Sequence, residues 1–474
     1  MIRTLNLQNS IYYIVIVLLC LVITSNLYLI YAYPSLGPDS GFYLKTSYDL
    51  ANGLEFYNNF NNSYTPMSMY INSLIFYFSD SISLPIVFSY FLLIYLFLAV
   101  LFYKITFFIS TKKKINLIST LLFISLLLIL EGIHVLLEPY VLLFQFLAIY
   151  TLLKYKNKSK KYFLFVGVFV FLSFFSKQYG LFVLPAILYL IFKFSNKLTE
   201  FLKSSLYLFL GLFVLLLFFI VFYCFYKDAQ IKEFLYQLLG IPALSGDELI
   251  TNIGYSLNGL KNSIKRILKV FPFIILLFLF IPLIRKRKIN ELNIFFFILF
   301  ISSCSVLSFA YYPHYFQLVI PYLLLLIISL PQLQEKKHQM IFLLLFLMFL
   351  KGFYSRFKIT HEYKKVAYTR QKVNVKILDN YLNKGDKVYL QAISPAYYFL
   401  CKYDSPNFGD LGYKFPIELT LKRINLGLPK GSFIIVEPEL KKNKEFKNYV
   451  VFKELSLYEK DVVILKKIEN AERH

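Results

Sequence analysis

The sequence predicts an all-α polytopic membrane protein with a small α/β domain at its C-terminal end. Hydrophobic residues make up 58% of the 474 residues and charged residues only 16%, and the mean hydropathy is +0.59. Apolar runs recur along most of the chain, and each is about long enough to cross the ~30 Å hydrocarbon core of a bilayer. The runs are continuously apolar rather than alternating, which excludes a transmembrane β-barrel.

Residues 1–354 are expected to form the transmembrane domain, with about eleven membrane-spanning helices. The predicted spans are residues 10–32, 84–109, 115–131, 139–154, 162–176, 179–193, 205–226, 269–284, 292–310, 317–331 and 339–354. The apolar segment 66–78 is shorter, so we expect a helix that lies at the membrane interface. The first span is predicted to stay uncleaved, because its apolar run is too long for a signal peptide.

Positive charge sets the expected orientation. The chain has 51 lysines and arginines against 27 aspartates and glutamates, a formal net charge of +24. In a soluble protein this excess would suggest nucleic acid, but here much of it lies in short loops, where it orients helices toward the cytoplasm. We therefore expect a plasma (inner) membrane protein that contacts membrane lipids and no nucleic acid, with a cytoplasmic N-terminus. The loop 227–268 fits poorly, because it carries Lys261, Lys265 and Arg266 although it is predicted to face outward.

The apolar run 162–193 is interrupted at residues 176–180, which read SKQYG. One long helix here would place lysine-rich loops on both sides of the membrane, whereas a tight hairpin keeps them all in the cytoplasm. We therefore predict a hairpin. It puts the outer loop 33–83, the loops 132–138 and 311–316, and the C-terminal domain on the extracytoplasmic face.

Residues 355–474 are predicted to form a soluble extracytoplasmic α/β domain. An amphipathic helix is expected near residues 364–383, and strands at 387–393, 433–436, 449–455 and 462–468. The domain contains no catalytic constellation. We expect it to bind or position an acceptor, or to brace the outer loops.

Several common sites are missing from the sequence. The four cysteines have no spacing typical of a disulfide framework or a metal site. There is no glycine-rich phosphate loop, no Asp-x-Asp motif of nucleotide-sugar enzymes and no HExxH motif.

Asp39 is the first candidate catalytic residue. It lies in the sequence GPDSG, in a polar, aromatic and turn-rich stretch that follows the first span. A carboxylate at the mouth of a membrane bundle can act as a general base on an acceptor hydroxyl or amine. The alternative is an ordinary turn residue, since aspartate is favoured in turns beside proline and glycine.

The motifs in this outer loop resemble a known family. Residues 39–43 read DSGFY, residues 51–57 read ANGLEFY and residues 64–67 read YTPM. This order is similar to the first extracytoplasmic loop of type C membrane glycosyltransferases. The closest branch is the protein O-mannosyltransferase and lipid A aminoarabinose transferase superfamily, in its bacterial dolichyl-phosphate-mannose-mannosyltransferase-like members.

The resemblance implies that Asp39 occupies the position of the family's catalytic acidic residue. The family usually has an Asp-Glu pair here, whereas this chain has Ser40 in the second position. No cofactor is certain from the sequence, and the difference leaves open whether a divalent cation binds.

Two further segments match the family in order. Glu138 opens a predicted span, where the resemblance implies a catalytic carboxylate facing the active cavity; the alternative is an interfacial carboxylate stabilised by the helix dipole. The sequence around Lys177 and Gln178 resembles the family's lysine-containing hairpin turn. A lysine between two apolar runs is costly unless it is paired or hydrated, so we expect it to bind the donor phosphate. The alternative is a lysine that extends its charge to the interface.

A late loop completes the match. Residues 311–316 read YYPHYF, and Pro321 follows in the next predicted helix. Tyr312 and Tyr315, with Tyr64 from the first loop, are expected to bind sugar or polyprenyl chain, and His314 to donate to phosphate. The alternatives are an interfacial aromatic belt and a structural loop histidine.

The resemblance implies an integral membrane glycosyltransferase that moves a sugar, with inversion, from a polyprenyl-phosphate donor to a lipid, glycan or protein acceptor on the extracytoplasmic face. One alternative is a polysaccharide transporter or flippase, for which inverted repeats and broken helices would be expected. Another is a glycan polymerase or ligase, which typically uses a large outer loop with arginine and histidine. The loop 227–268 has no histidine and one arginine.

Overall fold

The computed structural model describes residues 2–53, 65–77, 83–132, 134–155, 160–222, 289–309, 313–330, 336–394, 396–401, 403, 428–458 and 460–468. Helices in the first part of the chain are α1 (Ile2–Ala32), α2 (Pro38–Ala51), α3 (Met67–Tyr77), α4 (Leu84–Thr106), α5 (Lys113–Leu127), α6 (Glu138–Tyr155), α7 (Tyr162–Ser176), α8 (Leu184–Phe194) and α9 (Leu198–Val221). Later helices are α10 (Glu291–Cys304), α11 (Val306–Phe309), α12 (Ile320–Ile328), α13 (Lys336–Leu378) and α14 (Ala396–Cys401).

Four of the described helices are long and apolar enough to cross a membrane: α1, α4, α5 with the turn that follows it, and α9. Shorter apolar helices, α7, α8, α10 and α12, lie at other predicted spans. The predicted span 269–284 lies outside the described residues. The mostly helical, apolar architecture is therefore confirmed, and the count of about eleven spans stays a prediction.

The chain turns back at Lys177, as the sequence predicted. Helix α7 ends at Ser176, Lys177 is extended with φ −164° and ψ 143°, and a 3-10 turn at Gln178–Val183 leads into α8. The ring of Phe175 lies 4.1 Å from that of Phe219, whereas Gly167 meets α9 near Leu208. Helices α7 and α9 therefore run parallel, so α8 between them runs in the opposite direction.

Small residues let α7 and α9 approach closely. A Cβ atom added at Gly167 would lie 1.9 Å from the carbonyl oxygen of Leu208. One added at Gly211 would lie 2.1 Å from the carbonyl oxygen of Leu164. Glycine at these two positions allows the backbones to contact, as at other close helix crossings in membranes.

Residues 38–51 of the polar stretch after the first span form a helix rather than a turn-rich loop. Pro38 occupies the first turn of α2, where its missing N–H costs nothing. Inside this helix Lys45 forms a buried ion pair with Asp49, and its ammonium lies 5.3 Å from the centroid of the Tyr398 ring. These two charged residues are thus paired inside the protein. Helix α3 has 11 residues and is too short to cross the bilayer, as predicted.

Two predicted elements join into one helix. Helix α13 has 43 residues and is roughly 65 Å long at 1.5 Å per residue. It contains the predicted span 339–354 and most of the amphipathic helix predicted at 364–383. The C-terminal domain is therefore connected to the membrane bundle by continuous helix.

The C-terminal domain contains a four-stranded sheet in the order β1-β2-β4-β3, where β1 is Val388–Leu390, β2 Phe433–Val436, β3 Tyr449–Leu457 and β4 Lys460–Lys467. Strands β1 and β2 are parallel, and the other neighbours are antiparallel. All four predicted strands are confirmed. Residues 433 and 435 pack with Leu378 of α13, and residues 434 and 436 with Phe446 on the other face.

The α7–α9 contact predicts the effect of one substitution. Gly211→Val should destabilise the bundle by about 3 kcal/mol, because the new side chain would overlap the Leu164 carbonyl and force the helices apart. Leu210→Val, at an exposed position one residue earlier, should change stability little. Thermal unfolding of the detergent-solubilised protein measures both, and equal melting temperatures would contradict the close contact.

Candidate active site

Asp39 lies in the first turn of α2, beside a cavity of about 330 Å³. Its side chain is accessible to this cavity although protein surrounds it. Burial raises the pKa of Asp39 above its usual range, and the carboxylates of Glu138 and Glu131 act in the same direction. His314 and Lys177 oppose this shift. All five groups therefore belong to one electrostatic cluster.

Lys177 and Glu138 form a buried ion pair. The Lys177 Nζ lies 2.6 Å from Glu138 Oε1, and the two side chains are 5% and 1% exposed. Glu138 is the first residue of α6, and α7 ends beside it because these helices are antiparallel, with Ser173 Oγ donating to the Val141 carbonyl. This burial does not fit a lysine that extends its charge to the interface. It fits a cation held in a fixed place by its partner.

Aromatic rings complete the surroundings of the ammonium. Lys177 Nζ lies 4.5 Å from the centroid of the Tyr315 ring and 5.5 Å from that of Tyr179. It also lies 3.4 Å from the Tyr315 hydroxyl oxygen. Ring faces stabilise a cation that has left water. The ammonium is therefore positioned by one carboxylate and two rings.

A second carboxylate contact involves His314. Its Nδ1 lies 2.9 Å from Glu131 Oε2, and its ring is 4.5 Å from that of Tyr315. Glu131 has φ 68° and ψ 13°, a left-handed conformation that is uncommon for a residue with a side chain. Gln317 holds this turn by donating to the Leu130 carbonyl at 2.7 Å. The strained turn directs the Glu131 carboxylate to His314.

Ser40 occupies the position where the resembled family has a second carboxylate, and its hydroxyl contacts the backbone of a neighbouring loop. Its hydroxyl accepts from the Val135 N–H at 3.0 Å and lies 3.3 Å from the Val135 carbonyl oxygen. This joins α2 to the loop before α6. Glu138 is paired with Lys177 and Glu131 contacts His314. The described residues include no group of three His, Cys, Asp or Glu side chains that could hold a metal.

The structure brings together Asp39, Glu138, Lys177, His314 and Tyr315. Gln178 follows Lys177 in the 3-10 turn and is half-buried. Tyr64 and Tyr312 lie outside the described residues, so their role stays a prediction.

Three residues near Asp39 were missed by sequence reasoning: Glu131, His134 and Arg356. Glu131 ends an apolar span directly before glycine, which is a weak signal for a carboxylate at the membrane edge. Arg356 follows a predicted span, as basic residues commonly do, so the sequence gives no signal that distinguishes it. His134 has no distinguishing sequence pattern.

Helix α13 holds the short segment that connects α1 to α2. Gln371 donates to the Leu36 carbonyl at 2.6 Å and accepts from the Leu36 N–H at 3.3 Å. Lys364 donates to the Ser35 carbonyl at 3.1 Å, and burial lowers the pKa of Lys364 to about 8.

Helix α2 also contacts the C-terminal region. Gly41 lies so close to the backbone of Ala396 that a Cβ atom added at Gly41 would lie 2.4 Å from the Ala396 nitrogen. These contacts favour the expectation that the C-terminal region braces the outer loop.

The buried pair predicts a coupled effect on stability. Lys177→Met and Glu138→Gln should each destabilise the protein by about 3 kcal/mol, because each leaves a buried charge without its partner. The double variant should lose less stability than the sum of the losses in the two single variants. Thermal unfolding of the four proteins in detergent measures this coupling, and strictly additive losses would contradict a direct pair.

Two solved structures resemble the whole chain. The crystal structure of ArnT from Cupriavidus metallidurans bound to undecaprenyl phosphate matches with a TM-score of 0.61 at 11% sequence identity, covering 97% of this chain and 99% of that chain. The apo structure of the same protein matches with a TM-score of 0.55 at 10% identity, covering 94% and 97%. No protein-family model and no curated protein matches the sequence. The chain therefore has the ArnT fold, which confirms the fold that its motifs predicted.

Proposed function

We propose that the protein is an integral membrane glycosyltransferase that transfers a sugar from a polyprenyl-phosphate donor to an acceptor on the extracytoplasmic face. The observation that carries this proposal is the cluster of one accessible carboxylate, Asp39, with the ammonium of Lys177 and the imidazole of His314. The shared fold with ArnT, whose crystal structure contains undecaprenyl phosphate, supports a lipid phosphate as donor.

The proposed reaction is a substitution at the anomeric carbon of the donor sugar. The acceptor oxygen forms a bond to this carbon, and the bond from carbon to the phosphate oxygen breaks. Asp39 takes the proton from the acceptor, which requires the carboxylate to be ionised. Lys177 and His314 stabilise the negative charge that develops on the departing polyprenyl phosphate. Inversion at the anomeric carbon follows if the acceptor attacks opposite the phosphate.

We assign Glu138 to positioning Lys177 rather than to proton transfer. Its carboxylate lies 2.6 Å from the Lys177 ammonium, and this positive charge makes it a weak proton acceptor. Glu131 has the corresponding role toward His314. Tyr315 and Gln178 lie next to Lys177 and would contact the donor near its phosphate, with Tyr64 and Tyr312 proposed for the sugar or the polyprenyl chain.

The proposed orientation places the N-terminus in the cytoplasm and the Asp39 cluster outside. In a cysteine-free background, a cysteine at Lys384, which is exposed in the C-terminal domain, should react with a membrane-impermeant thiol reagent on intact cells. A cysteine at Lys113, exposed before α5, should react only after permeabilisation. The reverse pattern would contradict the proposed topology.

Asp39→Asn tests the base. The substitution keeps the size of the side chain but removes the proton acceptor, so transfer should fall about a hundredfold or more while donor binding persists. Asp379→Asn is a matched control, because Asp379 is an exposed carboxylate at the end of α13 whose pKa is also raised by burial. The measurement is transfer from undecaprenyl-phosphate sugar to total membrane lipids and glycans of the producing cell. Normal transfer by Asp39→Asn would contradict the proposed role.

The pH dependence of transfer tests the same residue. Because the pKa of Asp39 is raised, its carboxyl becomes protonated at a higher pH than an ordinary aspartate. Activity should therefore fall as the pH decreases through this raised pKa. The acid limb of the pH–rate profile should therefore lie at a higher pH than the titration of an ordinary aspartate. A profile that stays flat through the usual range of an aspartate carboxyl would show that Asp39 does not act as the base.

A further inference from the structure

A buried amide lies behind the turn that begins at Lys177. Gln145, in the interior of α6, is 3% exposed. Its Nε2 donates to the Gly180 carbonyl at 3.3 Å, and its Oε1 accepts from the Tyr322 hydroxyl at 2.6 Å. Because a carbonyl can only accept hydrogen bonds, this orientation of the amide is the one that satisfies both partners. The amide thus connects α6 with the 3-10 turn at Gln178–Val183 and with α12.

The contact with Gly180 reaches Lys177 through the backbone. The Gly180 N–H donates to the Lys177 carbonyl at 2.8 Å, which closes the turn after α7. Gly180 also lies against the end of α7, where a Cβ atom added to it would lie 2.2 Å from the carbonyl carbon of Ser173. The glycine is therefore held both by the backbone of α7 and by the Gln145 amide. A displacement of Gly180 would move the Lys177 backbone with it.

The contact with Tyr322 reaches the other side of the site. Tyr322 lies in the first turn of α12, and this helix directly follows the 3-10 turn that carries His314. The residue is 1% exposed, so bulk water does not compete for its hydroxyl. Gln145 therefore joins the turn that begins at Lys177 to the helix that follows His314.

The surroundings of the amide leave little room for another partner. The cavity beside it, which Tyr179, Ser303 and Tyr322 also line, has a volume of about 10 Å³. This is near the lower limit for a single water molecule. An apolar side chain in place of Gln145 would leave the Gly180 carbonyl and the Tyr322 hydroxyl without this partner. The turn should then shift, because unpaired polar atoms in the interior are costly.

We propose that Gln145 is a positioning residue that sets the place of the Lys177 ammonium relative to Glu138 and His314. Glu138 holds the ammonium at the tip of the lysine, whereas Gln145 holds the backbone from which the side chain extends. Both contacts are needed because a lysine side chain is long and flexible. The consequence for the donor rests on the proposed glycosyltransferase function, whereas the consequence for the ion pair does not.

Mutant cycles on the full-length protein in detergent test the effect on the ion pair. The coupling in melting temperature between Lys177→Met and Glu138→Gln is measured once in the wild-type background and once with Gln145→Met. Methionine has a similar length but does not donate a hydrogen bond. The coupling should become smaller with Gln145→Met, because the ammonium is no longer held at the same distance from the carboxylate. An unchanged coupling would overturn the proposal.

Asn293→Leu is the matched control. The Asn293 amide is also buried and also joins two helices, since its Nδ2 donates to the carbonyl and the hydroxyl of Ser329, each at 2.8 Å. Ser329 follows α12 at the end of this helix that is remote from the site. Asn293→Leu should lower the melting temperature and leave the coupling between Lys177 and Glu138 unchanged. An equal loss of coupling in the control would show a general effect on stability and would also overturn the proposal.

Donor binding adds a readout that a general loss of stability would not move. Native mass spectrometry with undecaprenyl phosphate should show roughly tenfold weaker binding to Gln145→Met, because a displaced ammonium makes a poorer charge-assisted contact with phosphate. Asn293→Leu should bind this lipid like the wild type. Tyr322→Phe should cause a smaller loss than Gln145→Met, because it keeps the contact between Gln145 and Gly180.

The two readouts separate the inference from the proposed function. If the coupling falls while Gln145→Met binds undecaprenyl phosphate like the wild type, Lys177 does not hold the phosphate. The proposed role of Lys177 then fails, and the positioning role of Gln145 stands. If the wild type itself does not bind undecaprenyl phosphate, the proposed function fails, and the coupling between Lys177 and Glu138 alone decides the inference.

Discussion

The arrangement of the site depends on one buried ion pair, between Lys177 at the end of α7 and Glu138 at the start of α6. An ammonium in a largely apolar bundle is costly unless a carboxylate compensates it. The pair therefore requires that the chain turn back at Lys177, so that both residues lie at the same end of the bundle. The same turn places Lys177 beside Tyr315 and in the electrostatic field of Asp39. The turn at Lys177 thus determines both the path of the chain and the position of the charged groups in the site.

Charge balance would let such a site accept a lipid phosphate. Lys177 is paired with Glu138, and His314 contacts Glu131. These carboxylates hold the two side chains in place before a donor would bind. A phosphate that approaches would then share pre-positioned hydrogen-bond donors, which is the arrangement that favours a developing negative charge over a resting one. Ser40 in the place of a second carboxylate removes one negative charge beside Asp39.

The sequence predicted much of the fold because membrane proteins have strong one-dimensional signals. Apolar length located the spans, and lysine-rich loops predicted the turn at Lys177. The sequence did not reveal that residues 38–51 form a helix. The ion pair between Lys45 and Asp49, which lets these charges be buried, depends on tertiary packing. The pairing of Glu138 with Lys177 joins residues 39 positions apart. The left-handed turn at Glu131 and the face of α13 that includes Arg356 likewise arise only from tertiary contacts.

We expect Lys177 and His314 to hold the donor phosphate beside Asp39. A cryo-electron microscopy structure of the protein with undecaprenyl phosphate would show this contact directly. Phosphate oxygens should lie within about 3 Å of Lys177 Nζ, with Asp39 beside the bound lipid and the Glu138 contact retained. A phosphate bound elsewhere, with the Lys177–Glu138 pair closed and Asp39 remote from the lipid, would contradict this expectation.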